Sequence, residues 1–250
     1  MQIIVYIIIG FVAEIVDGTL GMAYGISCRT FIKAFTNVPM EFISPIIHYA
    51  EGPTSLMSMI SNIRYKNIDK EVFNSLLFTG IFGGLLGAYI ISLKINWIEL
   101  IVNIYLILMG IIIIYKSITE INHCFIKNKN NIRILGFIAS FLDAGGGGGW
   151  GPIVTSSLLT SNIPTRKVVG TVNSVEFFVT LSSSIGFLLF ISNIKKYLII
   201  ILGLIIGGVL AAPLSVRACQ KFSSKKLNII IGIVLIILNI YNCIMFFNWR

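Results

Sequence analysis

"FLDAGGGGGWGPIV" (Phe141–Val154) sets five consecutive glycines and a Trp-Gly-Pro step inside an otherwise apolar stretch. Glycine costs roughly 1 kcal/mol against alanine in a helix interior, so this run is expected to interrupt helix. The interruption has a counterpart. "GFVAEIVDGTLGMAYG" (Gly10–Gly25) lies over "GFIASFLDAGGGGGWG" (Gly136–Gly151), with Gly10/Gly136, Ala13/Ala139, Asp17/Asp143, Gly21/Gly147 and Gly25/Gly151 coinciding and Tyr24 facing Trp150. With one residue dropped, Pro39/Pro164 and Glu51/Glu176 align, and "GGLLGA" (Gly83–Ala88) answers "GGVLAA" (Gly207–Ala212). The chain reads as a duplication: repeat 1 at 1–116, a polar linker at 117–131 and repeat 2 at 132–250.

Composition sets the solvent. Of 250 residues, 56% are hydrophobic and 12% charged, with a mean hydropathy of +0.92. A soluble domain carries about twice that charge. Val72–Ser92, Tyr197–Val216 and Leu227–Phe247 hold no Asp, Glu, Lys or Arg, and each reaches the ~20 residues that a bilayer crossing needs. Continuous apolar runs, not alternation, predict an all-α integral membrane protein and exclude a β-barrel. The net charge of +9 does not point to nucleic acid, because the basic residues fall between the apolar runs, as in "RYKNIDK" (Arg64–Lys70) and "KNKNNIR" (Lys127–Arg133). Cys28, Cys124, Cys219 and Cys243 have neither disulfide nor metal spacing. The first residues, lacking a basic start and a small-residue cleavage site, read as a membrane segment, not a signal peptide.

Each repeat holds one glycine-interrupted segment, at 2–36 and 132–162, then three plain helices. These are expected at 42–61, 72–92 and 97–116, and at 167–192, 196–217 and 226–247. The interrupted segments either cross the membrane as broken helices or enter and return. If both return, Arg29, Lys33, Lys94, Lys195, Lys196 and Arg250 share one side, and the other 13 of the 19 basic residues lie opposite. That asymmetry satisfies the positive-inside rule, whereas two crossings leave the charges balanced. Arms of roughly 12–16 residues reach only about 18–24 Å, short of a ~30 Å hydrocarbon core. Three crossings per repeat invert the second repeat and place both termini outside. An eight-crossing arrangement stays open as the alternative.

Unwound backbone at membrane depth is tolerated where it packs in protein or lines a cavity. An unwound turn followed by a helix start presents N–H groups and the positive end of the helix dipole, which favours an anion. Paired breaks in two repeats are the sequence pointer to a transporter's solute site. The candidate binding residues are therefore Gly21, Tyr24, Gly25 and Arg29 around the first break, and Gly145, Gly146, Gly147, Gly148, Gly149, Trp150 and Gly151 around the second. Asp17 and Asp143 sit just before the breaks and are read as loop braces, since a bare carboxylate would repel an anion. Glu51 and Glu176 match between repeats, with His48 and Asn173 three residues earlier on the same helical face. His48 and Asn173 are read as cavity-lining. Glu51 and Glu176 are candidates for a proton relay, or carboxyls bonded to neighbouring backbone. A metal held by His48 and Glu51 is a weaker option, because only one repeat has the histidine. No Walker motif, cysteine-pair metal motif or nucleophile elbow occurs, so neither catalysis nor a cofactor is expected.

The blocks "VDGTLGMAYG" (Val16–Gly25), "HYAEGPTS" (His48–Ser55), "LDAGGGGGWGPIV" (Leu142–Val154) and "GTVNSVEFFVTLSSS" (Gly170–Ser184) resemble the sulfite exporter TauE/SafE family of membrane transporters. The resemblance spans both repeats. It implies movement of a small sulfur oxyanion, organosulfonate or related anion across a bacterial cytoplasmic membrane, usually outward. Ser27, Cys28 and Arg29 stand where the family usually has small hydroxyl residues, so the anion accepted is not inherited from the family name. The expectation is a secondary transporter of a small sulfur-containing anion, with alternating access, a lipid bilayer around it and homo-oligomerisation left open. An anion channel, or a metal-binding membrane enzyme using His48 and Glu51, is the alternative.

Overall fold

The computed structural model describes residues 2–36, 38–91, 128–146, 148–159, 161, 163–191, 194–221 and 223–248, with scattered helical positions between 100 and 119. Among the described residues the ordered elements are helical: α1 (Gln2–Leu20), α2 (Tyr24–Phe35), α3 (Met40–Arg64), α4 (Lys70–Ile91), α5 (Lys129–Gly146), α6 (Trp150–Leu158), α7 (Thr165–Phe190), α8 (Leu198–Lys221) and α9 (Ser224–Asn248). A 3-10 turn at Ile194–Tyr197 leads into α8. Four stretches, Ile3–Leu20, Lys70–Ile90, Thr165–Phe190 and Ile194–Lys221, are long and apolar enough to cross a membrane.

The polarity is inside out. Phe78, Phe82 and Leu86 of α4, Leu188 and Leu189 of α7, and Leu202, Ile206 and Leu210 of α8 are exposed. Glu14, Asp17, His48, Glu51, Asp143, Asn173 and Glu176 are buried. An apolar exterior around a polar centre suits hydrocarbon solvent, so the chain is an integral membrane protein. α3 carries much of the polarity, yet it is wrapped by α7 and α8. Two of its hydroxyls turn back onto its own backbone, Thr54 Oγ1 donating to the Ala50 carbonyl and Ser55 Oγ to that of Glu51. Such bonds satisfy a buried hydroxyl without a partner helix.

Contacts along the helices fix their directions. α1 runs parallel to α8, since Gly10 meets Leu204, Phe11 meets Gly207 and Thr19 bonds to Ser215. α3 also runs parallel to α8, with Phe42 on Tyr197, Thr54 on Gly208 and Asn67 bonded to Gln220. α5 and α7 both run parallel to α4: Lys129 pairs with Glu71, Gly136 meets Leu76, Thr171 bonds to Asp69, and Val179 meets Gly80. α3 and α7 are antiparallel, because Tyr49 bonds to Ser184, Gly52 faces Thr180 and Asn62 faces Gly170. α1 and α3 thus point the same way with their starts at the same end, and α2 must run back between them. Ile32, late in α2, is buried with Ile43, Ile46 and Ile200 at that end. α6 returns in the same manner, bringing Leu158 to Val72, Ile132 and Val168 at the opposite end.

The expected helix positions are shifted by a few residues, and two expectations need correcting. Gly145 and Gly146 are not in the break; they are the last residues of α5. A C-terminal turn tolerates glycine because it lacks the full set of i→i−4 bonds that an interior residue would weaken. The first arm is longer than expected: α1 has 19 residues, about 28 Å at 1.5 Å per residue. Length therefore does not decide whether that arm crosses. Most of the helix expected at 97–116, and most of the linker at 117–131, lie outside the described residues.

Candidate functional site

The first break begins where α1 ends at Leu20. Gly21 (φ 76°) and Ala23 (φ 90°) turn the chain through the left-handed region. The Gly21 N–H donates to the Asp17 carbonyl at 2.5 Å, and the Tyr24 N–H donates to Asp17 Oδ1 at 3.1 Å. Asp17 thus closes α1 and caps the start of α2 with one residue. The second break is built alike: Asp143 Oδ1 accepts the N–H groups of Gly148 (2.9 Å) and Gly149 (2.6 Å). Gly148 has φ 151°, a conformation that a side chain at this position would strain. Gly147 lies outside the described residues.

The two breaks meet. A Cβ on Gly148 would come within 2.5 Å of the Ile26 nitrogen and 2.8 Å of the Gly25 carbonyl carbon. One on Gly151 would come within 2.8 Å of Met22 Cα and 3.0 Å of the Gly21 oxygen. Thr155 Oγ1 donates to that same Gly21 oxygen, tying α6 to the first break. Gly25, Gly149, Trp150 and Gly151 are all buried. In this conformation the glycines let one backbone lie on the other, and the starts of α2 and α6 share one buried centre.

Polar side chains surround the contact. His48, fully buried, points Nε2 at Asp143 Oδ2 (3.2 Å) and Nδ1 at the Ser44 carbonyl (2.9 Å). A carbonyl only accepts, so Nδ1 carries a hydrogen and Nε2 is the nitrogen facing the carboxylate. The Phe187 ring closes over the imidazole edge-on at 5.3 Å between centroids. Asn173 Nδ2 donates to the Asp17 carbonyl at 3.3 Å, while its Oδ1 has no partner among the described residues. Tyr24 and Trp150 are buried, the Trp150 Nε1–H donating to the Val172 carbonyl at 3.3 Å. Arg29 is buried on α2. Glu51 and Glu176 are buried within electrostatic reach of Asp17 and Asp143. Among the described residues, no group of three or more His, Cys, Asp or Glu is arranged to hold a metal ion.

The sequence profile described as sulfite exporter TauE/SafE matches residues 6–242. The chain belongs to that family. It is also 35% identical over 246 residues to the probable membrane transporter protein YtnM of Bacillus subtilis (strain 168), covering 95% of this chain and 81% of the relative. No solved structure matches the chain. Membership and the four apolar helices together make this a multi-pass membrane protein of a transporter family.

Within this TauE/SafE chain, several partners escaped the sequence reading. His48 was grouped with Glu51 on its own helix; its partner is Asp143, from the other half of the chain. Ser44 holds two points at once, its carbonyl facing His48 Nδ1 and its Oγ donating to the Ala144 carbonyl at 2.7 Å. Its position four residues before His48 was the available signal, since that spacing shares a helical face. Thr155, a turn into α6, gave no signal beyond being a hydroxyl in an apolar helix. Glu14, beside Ser215 on α8, is a further buried acid with no place in the sequence reading.

Proposed function

We propose that this chain is a secondary transporter that exports a small sulfur-containing anion, such as sulfite or an organosulfonate, from the bacterial cytoplasm by alternating access. The observation that carries this is the meeting of the two breaks: two interrupted hairpins, from opposite ends, bring the starts of α2 and α6 to one buried point. Helix starts favour negative charge there. The anion class follows the family. Solute would bind once the two backbones separate, between Gly21, Tyr24, Gly25 and Arg29 on one side and Gly147–Gly149, Trp150 and Gly151 on the other. His48 and Asn173 would line the space, Asp17 and Asp143 would hold the loops, and Glu51 and Glu176 would relay protons. A centre with five carboxyls (Glu14, Asp17, Glu51, Asp143, Glu176) accepts an anion only if protons accompany it, which supports coupling to the proton gradient.

The topology follows the same reading. The packing is reciprocal: α1 lies on α8 as α5 lies on α4, α3 on α8 as α7 on α4, and α3 faces α7. A two-fold axis relating antiparallel α3 and α7 is perpendicular to both, hence in the membrane plane when they cross it. That supports inverted repeats at 1–116 and 132–250 joined by 117–131, re-entrant hairpins α1–α2 and α5–α6, and both termini outside.

Flux into proteoliposomes tests the function. Labelled sulfite, thiosulfate and methanesulfonate are each offered against a chloride control, with and without a proton gradient. Saturable flux of one sulfur anion, with counterflow and gradient dependence, is the expected result. Unsaturable flux without counterflow would convert the reading to a channel, and no flux of any sulfur anion would overturn it.

A further inference from the structure

The two breaks are braced differently, although their sequences correspond. The first is held by Asn173, whose amide donates to the backbone carbonyl of Asp17 and does not titrate. The second is held by His48, which faces the side chain of Asp143. Asp143 connects two contacts: Oδ2 meets His48 on α3, and Oδ1 holds the N–H groups of Gly148 and Gly149. Both side chains are sealed from solvent, at 0% and 2% exposure, so no water replaces either contact.

Because the Ser44 carbonyl fixes a hydrogen on Nδ1, the Nε2–Oδ2 contact works only with one proton between its atoms. That proton sits on Nε2 beside a carboxylate, or on Oδ2 beside a neutral imidazole, and in both forms the pair is neutral overall. Removing it leaves a lone pair on Nε2 facing a carboxylate oxygen, two acceptors with no hydrogen between them. The pair's charge becomes −1 and the contact turns repulsive. The surrounding groups add to the effect. Glu51 on α3, Asp17 and Glu14 on α1, and Glu176 on α7 lie within electrostatic reach of one another or of Asp143, with Tyr24 and Cys28 of α2 beside Glu51 and Arg29 also buried on α2.

We infer that the coupling proton is held between His48 Nε2 and Asp143 Oδ2, and that its release frees the second break from α3. This rests on the proton-coupled transport reading and makes the His48–Asp143 pair the holding site to which Glu51 and Glu176 relay. Proton entry takes the pair from −1 to neutral and release returns it to −1, while Nδ1 keeps its hydrogen throughout. A proton-operated latch on one break alone lets the two hairpins open at different stages of a cycle.

Histidine labelling with 15N suits the protein, because a His123→Asn background leaves His48 as its single histidine. In nanodiscs between about pH 5 and 9, Nε2 is expected to gain and lose a proton while Nδ1 stays protonated. Hydrogen exchange at Gly148 and Gly149, divided by the intrinsic rate at each pH, is expected to rise at least about tenfold as Nε2 loses its proton. His48→Asn, or His48→Gln if the first variant does not fold, is expected to abolish that pH dependence, while Glu51→Gln and Glu176→Gln keep it. An Nε2 that never titrates, loop exchange that follows pH equally in the His48 variants, or loss of the dependence in a glutamate variant would each overturn the inference. Neither readout requires an anion, so a failure here is distinguishable from a failure of the transport reading.

Discussion

The crossing of α1 on α8 makes a quantitative test of the packing. A Cβ added to Gly207 would lie 2.6 Å from the Phe11 nitrogen and 2.9 Å from the Ile7 carbonyl carbon; one added to Gly10 would lie 2.8 Å from Leu204 Cα. Ordinary contact begins at 3.4 Å. The Ile7 and Leu204 carbonyl oxygens lie closer still, so alanine requires α1 to withdraw by more than about 0.8 Å at Gly207 and by more than about 0.6 Å at Gly10, since backbone cannot yield as a flexible side chain does. Overpacking of this kind costs about 1–3 kcal/mol, and the better helix propensity of alanine returns about 1 kcal/mol. Each single variant should lose up to about 2 kcal/mol. The withdrawal is shared, so Gly10→Ala with Gly207→Ala should cost little more than the worse single change. Gly83→Ala loosens the distant α4–α5 crossing against Phe137, and combined with Gly207→Ala it should add fully. Denaturant unfolding in mixed micelles measures all five proteins. Additivity within the α1–α8 pair, or stabilisation by either single change, would refute this close backbone contact.

Three further outcomes are expected. Thr155→Val keeps the side-chain shape but removes the hydroxyl that donates to the Gly21 carbonyl, so stability should fall by about 1 kcal/mol and exchange at the first break should rise; unchanged exchange at Gly21–Tyr24 would mean the two breaks are not tied there. Breaking the Lys129–Glu71 ion pair with Glu71→Gln should move stability by less than about 0.5 kcal/mol, because both side chains are more than half exposed, and salt titration of the unfolding midpoint checks it. In a cysteine-free background, an impermeant maleimide should reach Lys66→Cys only from the cytoplasmic side and Glu41→Cys only from outside. Labelling of both from one side would rule out a full crossing by α3.

Much of this was written in the sequence. Apolar runs without charge can only be satisfied in hydrocarbon as helices, so the fold class followed from composition and run length. The breaks were legible because glycine and a first-turn proline act on the backbone locally, whatever surrounds them. Asp17 and Asp143 accept N–H groups of their own loops, as a carboxylate next to a helix start does. Family membership followed from blocks in both halves of the chain. Partnership between the two halves of the chain was not legible. The pairing of His48 with Asp143 joins residues 95 positions apart, and nothing in their local sequence favours it over Glu51 one turn away. The seating of Gly148 on Gly25, and the bond from Thr155 to Gly21, likewise depend on two hairpins arriving from opposite ends. Local chemistry fixed where the backbone must break. Only the packing of α3 against α7, and of each hairpin between them, decided which broken backbone meets which side chain.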